Sequence, residues 1–292
     1  DDTLSGGTGD DTLEGGDGAD LMQGGADADS FVLDDEFGND TILGGEAGND
    51  ADRLDLSGVT SDLTIDLTAS NPEVGSVTDG TSTASFAEIE TIILGAGTDT
   101  LTLGDGSGAD RVDGFEAPID NGDGTFTGQD LLDVSSLHDL GGQPVNTADV
   151  TVTDTNGDGT GDAILTFPNG ETLTLVGVLA ATINSPEALA AMGIPIAPDY
   201  IVEGTGGDDT IDAGYLGDPE GDRVDAADNA TGTNDDLIEA YGGNDSVAAG
   251  DGNDTVLGGA GNDSIDGGDG NDLLYGGADD DRLLGDAGDD TL

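Results

Sequence analysis

The sequence has no cysteine, no lysine and no tryptophan, and only one histidine among its 292 residues. No disulfide framework can form, although the absence of cysteine does not identify a compartment. A tetrahedral zinc site needs several nitrogen or sulfur donors, so we interpret the lone His138 as a structural or surface residue. No Ser-His-Asp set can be assembled around it with confidence. Two-carboxylate glycosidase chemistry stays open, but no pair of acids stands out, and we expect no catalytic residue in this chain.

Basic residues are also scarce, with four arginines against 65 acidic residues and a formal net charge of −61. Phosphates would be repelled, which excludes nucleic acid as a partner and makes inorganic cations the natural counter-charge. Each arginine stands in an Asp-Arg-aliphatic triplet, which is typical of a solvated residue that offsets nearby carboxylates. The four are Arg53, Arg111, Arg223 and Arg282.

Large apolar side chains are few, since aromatic residues make up 3% of the chain whereas glycine alone accounts for 53 residues. The apolar surface that this chain can bury is too small to offset the backbone entropy lost on folding and the repulsion between its charges. We therefore expect the metal-free chain to be largely disordered. No apolar run reaches the roughly 18–20 residues of a membrane span, and no signal peptide stands out. The chain starts at Asp1 and stops inside a repeat at Leu292, and we expect it to be a piece of a longer protein.

The acids and glycines are arranged in a repeat of nine residues, as in GGAGNDSID at 258–266. From Ala240 onward the blocks follow without interruption, with aspartate at position 6 and an aliphatic residue at position 8. The same phase recurs within 6–43, and residues 231–239 keep only the second half of the pattern. Isolated copies lie at 94–102, 105–113 and 204–212.

The pattern predicts a turn followed by a very short strand. Glycine permits positive φ and close backbone approach, so positions 1–6 form the turn and positions 7–9 the strand. Two nonapeptides then make one coil, and stacked coils bury the row of position-8 side chains as a thin core. The sequence therefore predicts an all-β fold, a parallel β-roll (β-solenoid) in two blocks with a central β-rich insert.

Stacked turns also predict metal sites, because each turn offers carbonyl oxygens and one carboxylate. Calcium takes roughly six to eight oxygen ligands at about 2.3–2.6 Å, which two adjacent turns supply and one does not. We therefore expect a calcium-loaded roll that folds as multiple Ca²⁺ ions bind. The predicted side-chain ligands are Asp11, Asp20, Asp29, Asp40, Asp99, Asp110, Asp209, Asp236, Asp245, Asp254, Asp263, Asp272, Asp281 and Asp290. The predicted carbonyl ligands belong to Gly7, Gly9, Gly16, Gly18, Gly250, Gly252, Gly259, Gly261, Gly268, Gly270 and Gly277.

The nonapeptides resemble the repeats-in-toxin (RTX), or haemolysin-type calcium-binding, family. The resemblance implies a Gram-negative bacterial protein that is exported unfolded by a type I secretion system. Millimolar calcium outside the cell would fill sites with a Kd of roughly 10⁻⁴–10⁻³ M and fold the chain. The expected partners are calcium ions, the secretion machinery and further repeats or copies stacked end to end.

Residues 50–103 resemble the segment that precedes the calcium roll in serralysin-type secreted metalloproteases, through LDLSG…IDL and the strand that follows. The protease itself is not implied, because its zinc site needs two histidines on one helix. We divide the chain into four segments. They are an N-terminal roll at 1–56, the serralysin-like solenoid segment at 57–113, a β-rich insert at 114–200 and a C-terminal roll at 201–292.

The insert carries two local predictions. Alternating apolar residues around an acidic turn predict a β-hairpin within 146–178. A short helix is predicted at 186–192, with Ser185 as N-cap, Pro186 as first residue and Gly193 as terminator, covering an end of the roll. The hairpin turn is either a separate calcium loop or a turn whose polar side chains satisfy the backbone. As a calcium loop it would use Asp154, Asn156, Asp158, Thr160 and Asp162.

Three roles fit these patterns: a structural and calcium-sensing segment, the accessory part of a secreted enzyme, and a surface adhesin, matrix or filament component. We favour a structural, calcium-responsive segment of a secreted or surface protein, within an adhesin or a filament. The alternative is the accessory calcium-binding region of a secreted hydrolase whose catalytic domain lies outside this chain.

Overall fold

The structure is a computed structural model that describes residues 1–45, 47–48, 51–225 and 233–292. The chain forms two compact units, 1–196 and 197–292. Regular structure in both is almost entirely β-strand, which confirms the predicted all-β class. Among the described residues, no helix has the length and apolar character needed to cross a bilayer.

The first unit is a succession of short strands and ends in two short helices, α1 (Ala180–Ile183) and α2 (Pro186–Ala191). The strands are β1 (Thr3–Thr8), β2 (Thr12–Glu14), β3 (Leu21–Ala26), β4 (Ser30–Asp34), β5 (Thr41–Leu43), β6 (Arg53–Gly58), β7 (Thr64–Leu67), β8 (Gly75–Thr78), β9 (Thr83–Ala87), β10 (Thr91–Ile93), β11 (Thr100–Gly104), β12 (Ala109–Asp113), β13 (Ile119–Asp120), β14 (Phe126–Thr127), β15 (Leu131–Ser136), β16 (Thr151–Asp154), β17 (Asp162–Thr166) and β18 (Thr172–Leu179).

Two long sheets run through this unit. One has the order β1-β3-β5-β9-β8-β7-β11-β15, and the other has the order β2-β4-β6-β10-β12-β18-β17-β16. Successive coils pair in parallel, so that Leu13 faces Phe31 and Phe31 faces Leu54. The predicted parallel roll is therefore confirmed. Antiparallel pairs occur where β8 is inserted between β7 and β9, and at the β16–β17–β18 edge.

The core of the first unit follows from the strand period of two. Position 8 lies between positions that face outward, so its side chain points into the space between the sheets. Met22, Phe31 and Ile42 occupy such positions and are fully buried. The strands of the central region contribute Leu54, Ile65 and other apolar residues to the same core.

The far end of the first unit contains the predicted hairpin and helix. β16 and β17 pair antiparallel on either side of the acidic turn, as expected. The α2 helix starts at Pro186, and the hydroxyl oxygen of its N-cap Ser185 accepts the Ala188 N–H. Gly193 follows the helix with a φ of 96°. The Leu132 N–H donates to the Met192 carbonyl at 2.6 Å, so the segment after α2 covers the end strand β15.

The second unit is a shorter roll with two sheets of parallel strands. One has the order β19-β21-β23-β25 and the other the order β20-β22-β24-β26. Its core is a thin row of aliphatic side chains that includes Ile238, Val256, Ile265 and Leu274. The strands are β19 (Ile201–Glu203), β20 (Thr210–Ile211), β21 (Leu237–Glu239), β22 (Ser246–Ala248), β23 (Thr255–Ala260), β24 (Ser264–Asp266), β25 (Leu273–Ala278) and β26 (Arg282–Leu284).

Candidate calcium-binding site

The position-6 aspartates form a ladder between neighbouring coils. In each step, one carboxylate oxygen accepts the backbone N–H of the position-6 residue in the preceding coil. Asp263 Oδ1 accepts the Asp245 N–H at 2.9 Å, and Asp281 Oδ1 accepts the Asp263 N–H at 3.0 Å. The predicted residues that accept in this way are Asp20, Asp29, Asp40, Asp99, Asp245, Asp254, Asp263, Asp272, Asp281 and Asp290.

The second carboxylate oxygen of most of these aspartates, and one carboxylate oxygen of Asp11 and of Asp110, is buried without a hydrogen bond from any residue that the structure describes. A buried ionised oxygen is costly unless it is paired or coordinates a metal. A carboxylate with one buried oxygen that accepts no hydrogen bond can offer that oxygen to a hard cation such as Ca²⁺. The residues concerned are Asp11, Asp20, Asp29, Asp40, Asp99, Asp110, Asp245, Asp254, Asp263 and Asp272.

The same geometry favours glycine at positions 1, 2 and 4, although Asp27, Tyr241 and Asp279 occupy such positions with positive φ. A Cβ on Gly258, at position 1, would overlap the Asp263 carboxylate of its own turn. A Cβ on Gly270, at position 4, would overlap the Gly252 carbonyl oxygen of the preceding coil, and the φ of Gly270 is 153°. The stacked turns thus bring carbonyl oxygens and carboxylates together. All the glycines predicted as carbonyl ligands have positive φ.

Burial changes the acidity of several of these carboxyl groups. It raises the pKa of Asp99 to about 6 and that of Asp110 and Asp254 to about 7. The pKa of Asp40 and Asp245 is raised as well, first by burial and then by neighbouring carboxylates. Hydrogen bonds from backbone N–H groups oppose this effect at all of these except Asp110. Without a cation, the turns therefore hold their protons more tightly than an unfolded chain does.

Four of the predicted ligands differ from the others in their burial or in their hydrogen bonds. Asp281 and Asp290, in the last coils, are half-buried. Asp209 Oδ2 already accepts the Thr205 N–H at 2.6 Å. Asp236 accepts the Asp225 N–H at 2.9 Å and belongs to the half-repeat 231–239, of which residues 231 and 232 lie outside the described part of the chain.

The ladder includes two aspartates that the sequence prediction missed. Asp52 Oδ1 accepts the Asp29 N–H at 2.7 Å, and Asp130 Oδ1 accepts the Asp99 N–H at 2.9 Å. Neither fits the nonapeptide pattern, because Asp52 lies eight residues after Gly44 instead of five, and Asp130 has one glycine among the five residues before it. A signal was nevertheless present, because the triplet that puts Arg53 at position 7 also puts Asp52 at position 6.

A second ladder runs along position 5 of the C-terminal roll and was not predicted. The Asn262 side-chain amide and backbone N–H both donate to Asn244 Oδ1, at 3.1 and 3.0 Å. Asn271 donates in the same way to Asn253 Oδ1. Position 5 therefore accepts from the following coil, whereas position 6 accepts from the preceding one. The sequence signal is asparagine at position 5 of four consecutive repeats.

The acidic turn of the β16–β17 hairpin has most of its polar atoms engaged with the turn itself. Asp154 Oδ1 accepts the N–H groups of Asn156 and Asp158, and Asp158 Oδ1 accepts the backbone N–H and the hydroxyl of Thr160. Asp162 faces away, accepting the Gly177 N–H and lying 3.6 Å from Arg111 Nη2. These contacts match the turn alternative, and the calcium loop stays a prediction.

One further acidic cluster lies in the second unit. Single carboxylate oxygens of Glu203, Asp218 and Glu220 lie within 4.8 Å of one another. Asp218 Oδ1 accepts the N–H groups of Glu220, Gly221 and Asp222, so it also orders the loop. The nonapeptide pattern gave no signal for this cluster, since the spacing of its residues does not follow a repeat.

The remaining polar residues singled out by the sequence lie outside the turns. His138 is half-buried, and its Nδ1 lies 2.8 Å from Asp105 Oδ2. All four arginines are exposed, as expected for position 7. Arg53 Nε donates to Ser30 Oγ at 3.0 Å on the outer face.

Comparison with known proteins agrees with this geometry. A family model described as the RTX calcium-binding nonapeptide repeat matches four segments, at residues 1–31, 201–215, 230–265 and 257–292. No curated protein matches the chain. The matched segments contain most of the aspartates with a buried unpaired oxygen.

Proposed function

We propose that this chain, which carries RTX calcium-binding nonapeptide repeats, is a structural segment of a secreted or surface protein and folds as calcium binds outside the cell. The calcium-binding character of the repeats is the premise. The proposal adds where the ions bind, how they stabilise the fold and in which compartment the chain folds.

The observation that carries the proposal is the set of buried position-6 oxygens that accept no hydrogen bond from the described residues. Each of these aspartates already uses its other oxygen, or its own burial, to fix its place in a turn. A cation shared between neighbouring turns would satisfy the free oxygens and join coil to coil. Ligands that exist only in the stacked roll couple binding to folding.

Two properties support the extracellular setting. They are the net charge of the chain and the calcium concentration that such sites need before they fill. A chain with a net charge of −61 repels itself and stays extended when calcium is low. Extracellular calcium modules work with Kd values of roughly 10⁻⁴–10⁻³ M, which cytosolic calcium does not fill. Passage through a type I secretion system is what the RTX resemblance implies, and these two properties are compatible with folding outside the cell.

Circular dichroism with and without calcium tests the folding proposal. The chain in millimolar calcium should show a strong β-sheet signal, and chelation should replace most of it with a coil signal. A chelated chain that keeps its full β-sheet signal would contradict the proposal. Magnesium at the same concentration is the control, because it demands a smaller and stricter site.

The adhesive or filamentous role is supported by the ends of the second unit. β26 is the last strand of its sheet, whereas Leu273 of β25 pairs with Thr291, and a strand at a sheet edge can pair with further repeats or with another chain. Sedimentation velocity in calcium tests this. Assembly that grows with protein concentration is expected, and a single monomeric species at all concentrations would oppose it.

A further inference from the structure

Three asparagines of the first unit are followed by glycine, and all three are exposed. They are Asn121, Asn156 and Asn169. An Asn-Gly pair can react with itself, because the glycine nitrogen attacks the side-chain amide carbon and no Cβ on the glycine blocks the approach. The reaction requires a glycine N–H that is weakly hydrogen-bonded and an amide that can turn towards it. The contacts of each pair therefore decide which of the three reacts in the folded chain.

The Asn169–Gly170 pair is held by both of its reacting groups. The Gly170 N–H donates to the Phe167 carbonyl at 3.0 Å. Asn169 Nδ2 donates to the His138 carbonyl at 2.8 Å and lies 3.4 Å from Asp105 Oδ1. These bonds must break before the ring can close, so the fold protects this pair.

The Asn121–Gly122 pair is also held at both groups. The Gly122 N–H donates to Asp120 Oδ1 at 2.7 Å. Asn121 uses both ends of its amide, since its Nδ2 donates to Thr125 Oγ1 at 3.0 Å and its Oδ1 accepts the Thr127 hydroxyl at 3.2 Å. The fold therefore slows the reaction of this pair as well.

The Asn156–Gly157 pair, in the turn of the β16–β17 hairpin, has weaker contacts. The Gly157 N–H donates to the Asp154 carbonyl at 3.3 Å. Asn156 Nδ2 donates to Thr160 Oγ1, also at 3.3 Å. Both distances exceed the range of about 2.7–3.2 Å that such bonds prefer. The nucleophile and the amide of this pair are therefore the easiest of the three to release.

We propose that Asn156 is a site of spontaneous deamidation in the folded chain. The Gly157 nitrogen forms a bond to Asn156 Cγ and loses its proton, and the amide nitrogen leaves as ammonia, which gives a succinimide ring. Water then opens the ring at either carbonyl and leaves an aspartate or an isoaspartate at position 156. The reaction uses water alone and does not depend on calcium binding elsewhere in the chain.

The product changes the hairpin turn. A carboxylate at position 156 adds a negative charge between Asp154 and Asp158, and like charges at this separation repel each other. In the unmodified turn, Asp154 Oδ1 accepts the Asn156 and Asp158 N–H groups at 3.0 and 3.2 Å. An isoaspartate lengthens the backbone by one carbon atom and displaces the second of these donors. Deamidation should therefore loosen the turn.

Peptide mapping by mass spectrometry on the full chain tests the site. The chain is incubated at mildly alkaline pH in saturating calcium and, as a reference, in concentrated urea, where each pair reacts at the rate of its unfolded sequence. The rate in calcium divided by the rate in urea measures the protection that the fold gives to each pair. We expect this ratio to be several-fold higher at Asn156 than at Asn169. A ratio at Asn156 that does not exceed the other two would overturn the proposal.

Two variants give an independent measurement. Asn156→Gln blocks the reaction, because glutamine would have to close a larger ring, and Asn169→Gln is the matched control. Isoelectric focusing of aged samples should show an acidic species in the wild type and in N169Q, and much less of it in N156Q. An equal amount in N156Q would contradict the assignment. Circular dichroism in calcium checks that both variants have the wild-type β-sheet signal.

Discussion

The two units share one kind of turn but differ in what lies between their sheets. The first unit buries large side chains such as Phe31, Phe86 and Phe167, and all six phenylalanines of the chain lie before residue 168. The core of the second unit consists of valine, isoleucine, leucine and alanine, with Tyr215 packed at its margin. A small aliphatic side chain stabilises less on burial than an aromatic one, because burial energy scales with apolar area.

The rows of position-6 residues differ in the opposite sense. In the second unit Asp209, Asp245, Asp263 and Asp281 follow one another without a gap in one row. In the first unit the register places Ala84 opposite Asp40, and Leu63 opposite Asp99. Apolar residues therefore replace carboxylates at two steps of the first unit. On the proposed calcium binding, the comparison teaches that cohesion by metal and cohesion by burial substitute for each other along one chain.

The largest effect should come from removing calcium. Chelation should abolish the hydrogen-exchange protection of β21–β26, whereas the central strands of the first unit, around Leu101 and Leu132, should keep part of theirs. The physical reason is that the core of the second unit is only a thin row of aliphatic side chains, so little apolar burial holds its strands together without calcium. Exchange mass spectrometry with and without chelator measures both units in one sample. Equal loss in the two units would break the comparison.

Acidification in calcium-depleted buffer should partly reverse that loss in the second unit. Burial raises the pKa of Asp254 to about 7 in the folded chain, against an ordinary value of 3.8. The folded state thus holds the proton more tightly, and its stability falls as pH rises from about 4 to about 7. Lowering the pH from 8 to 5 should therefore restore β-sheet signal in circular dichroism.

Two variants sharpen the pH experiment. Asp254→Asn should flatten the pH dependence, because it removes the group whose pKa is raised. Asp269→Asn, at an exposed position 3, should leave the dependence in place. A β-sheet signal that rises equally in both variants would trace the effect to total charge instead of to the buried row.

A single position-6 change should have an intermediate effect in calcium. Asp263→Asn keeps the acceptor for the Asp245 N–H but weakens a ligand in the middle of the second roll, so we expect a loss of roughly 1–3 kcal/mol. Chemical denaturation in saturating calcium, with Asp269→Asn as control, measures it. The prediction fails if the two variants have the same free energy of unfolding.

The smallest effect should come from the position-5 ladder. Asn262→Ala removes the side-chain donor to Asn244 and the acceptor for the Asp280 N–H, at an exposed site. Hydrogen bonds of this kind contribute about 0.5–1.5 kcal/mol each, and water replaces part of that at the surface. A loss as large as that of Asp263→Asn, in the same denaturation assay, would show that the two ladders are equally important.

Much of this architecture follows from the sequence because the repeat combines two independent signals. Aspartate at position 6 and an aliphatic at position 8 fix both the turn and the buried face, and the predicted helix and hairpin rest on equally local chemistry. The insertion of β8 between β7 and β9 was not predictable, since it depends on pairing between distant segments. Asp130 was missed for the same reason, because only the fold brings it to a turn. The predicted four-segment division and the ligand assignments stay predictions.

The two ladders give each coil two chemically different faces. The C-terminal face of a coil presents position-6 N–H donors and position-5 oxygen acceptors, and the N-terminal face presents the reverse. If two C-terminal faces met, N–H donors would face N–H donors and oxygen acceptors would face oxygen acceptors. A new coil can therefore be added in one orientation only. A chain that folds coil by coil would therefore find the template for each new coil on the coil that has already folded.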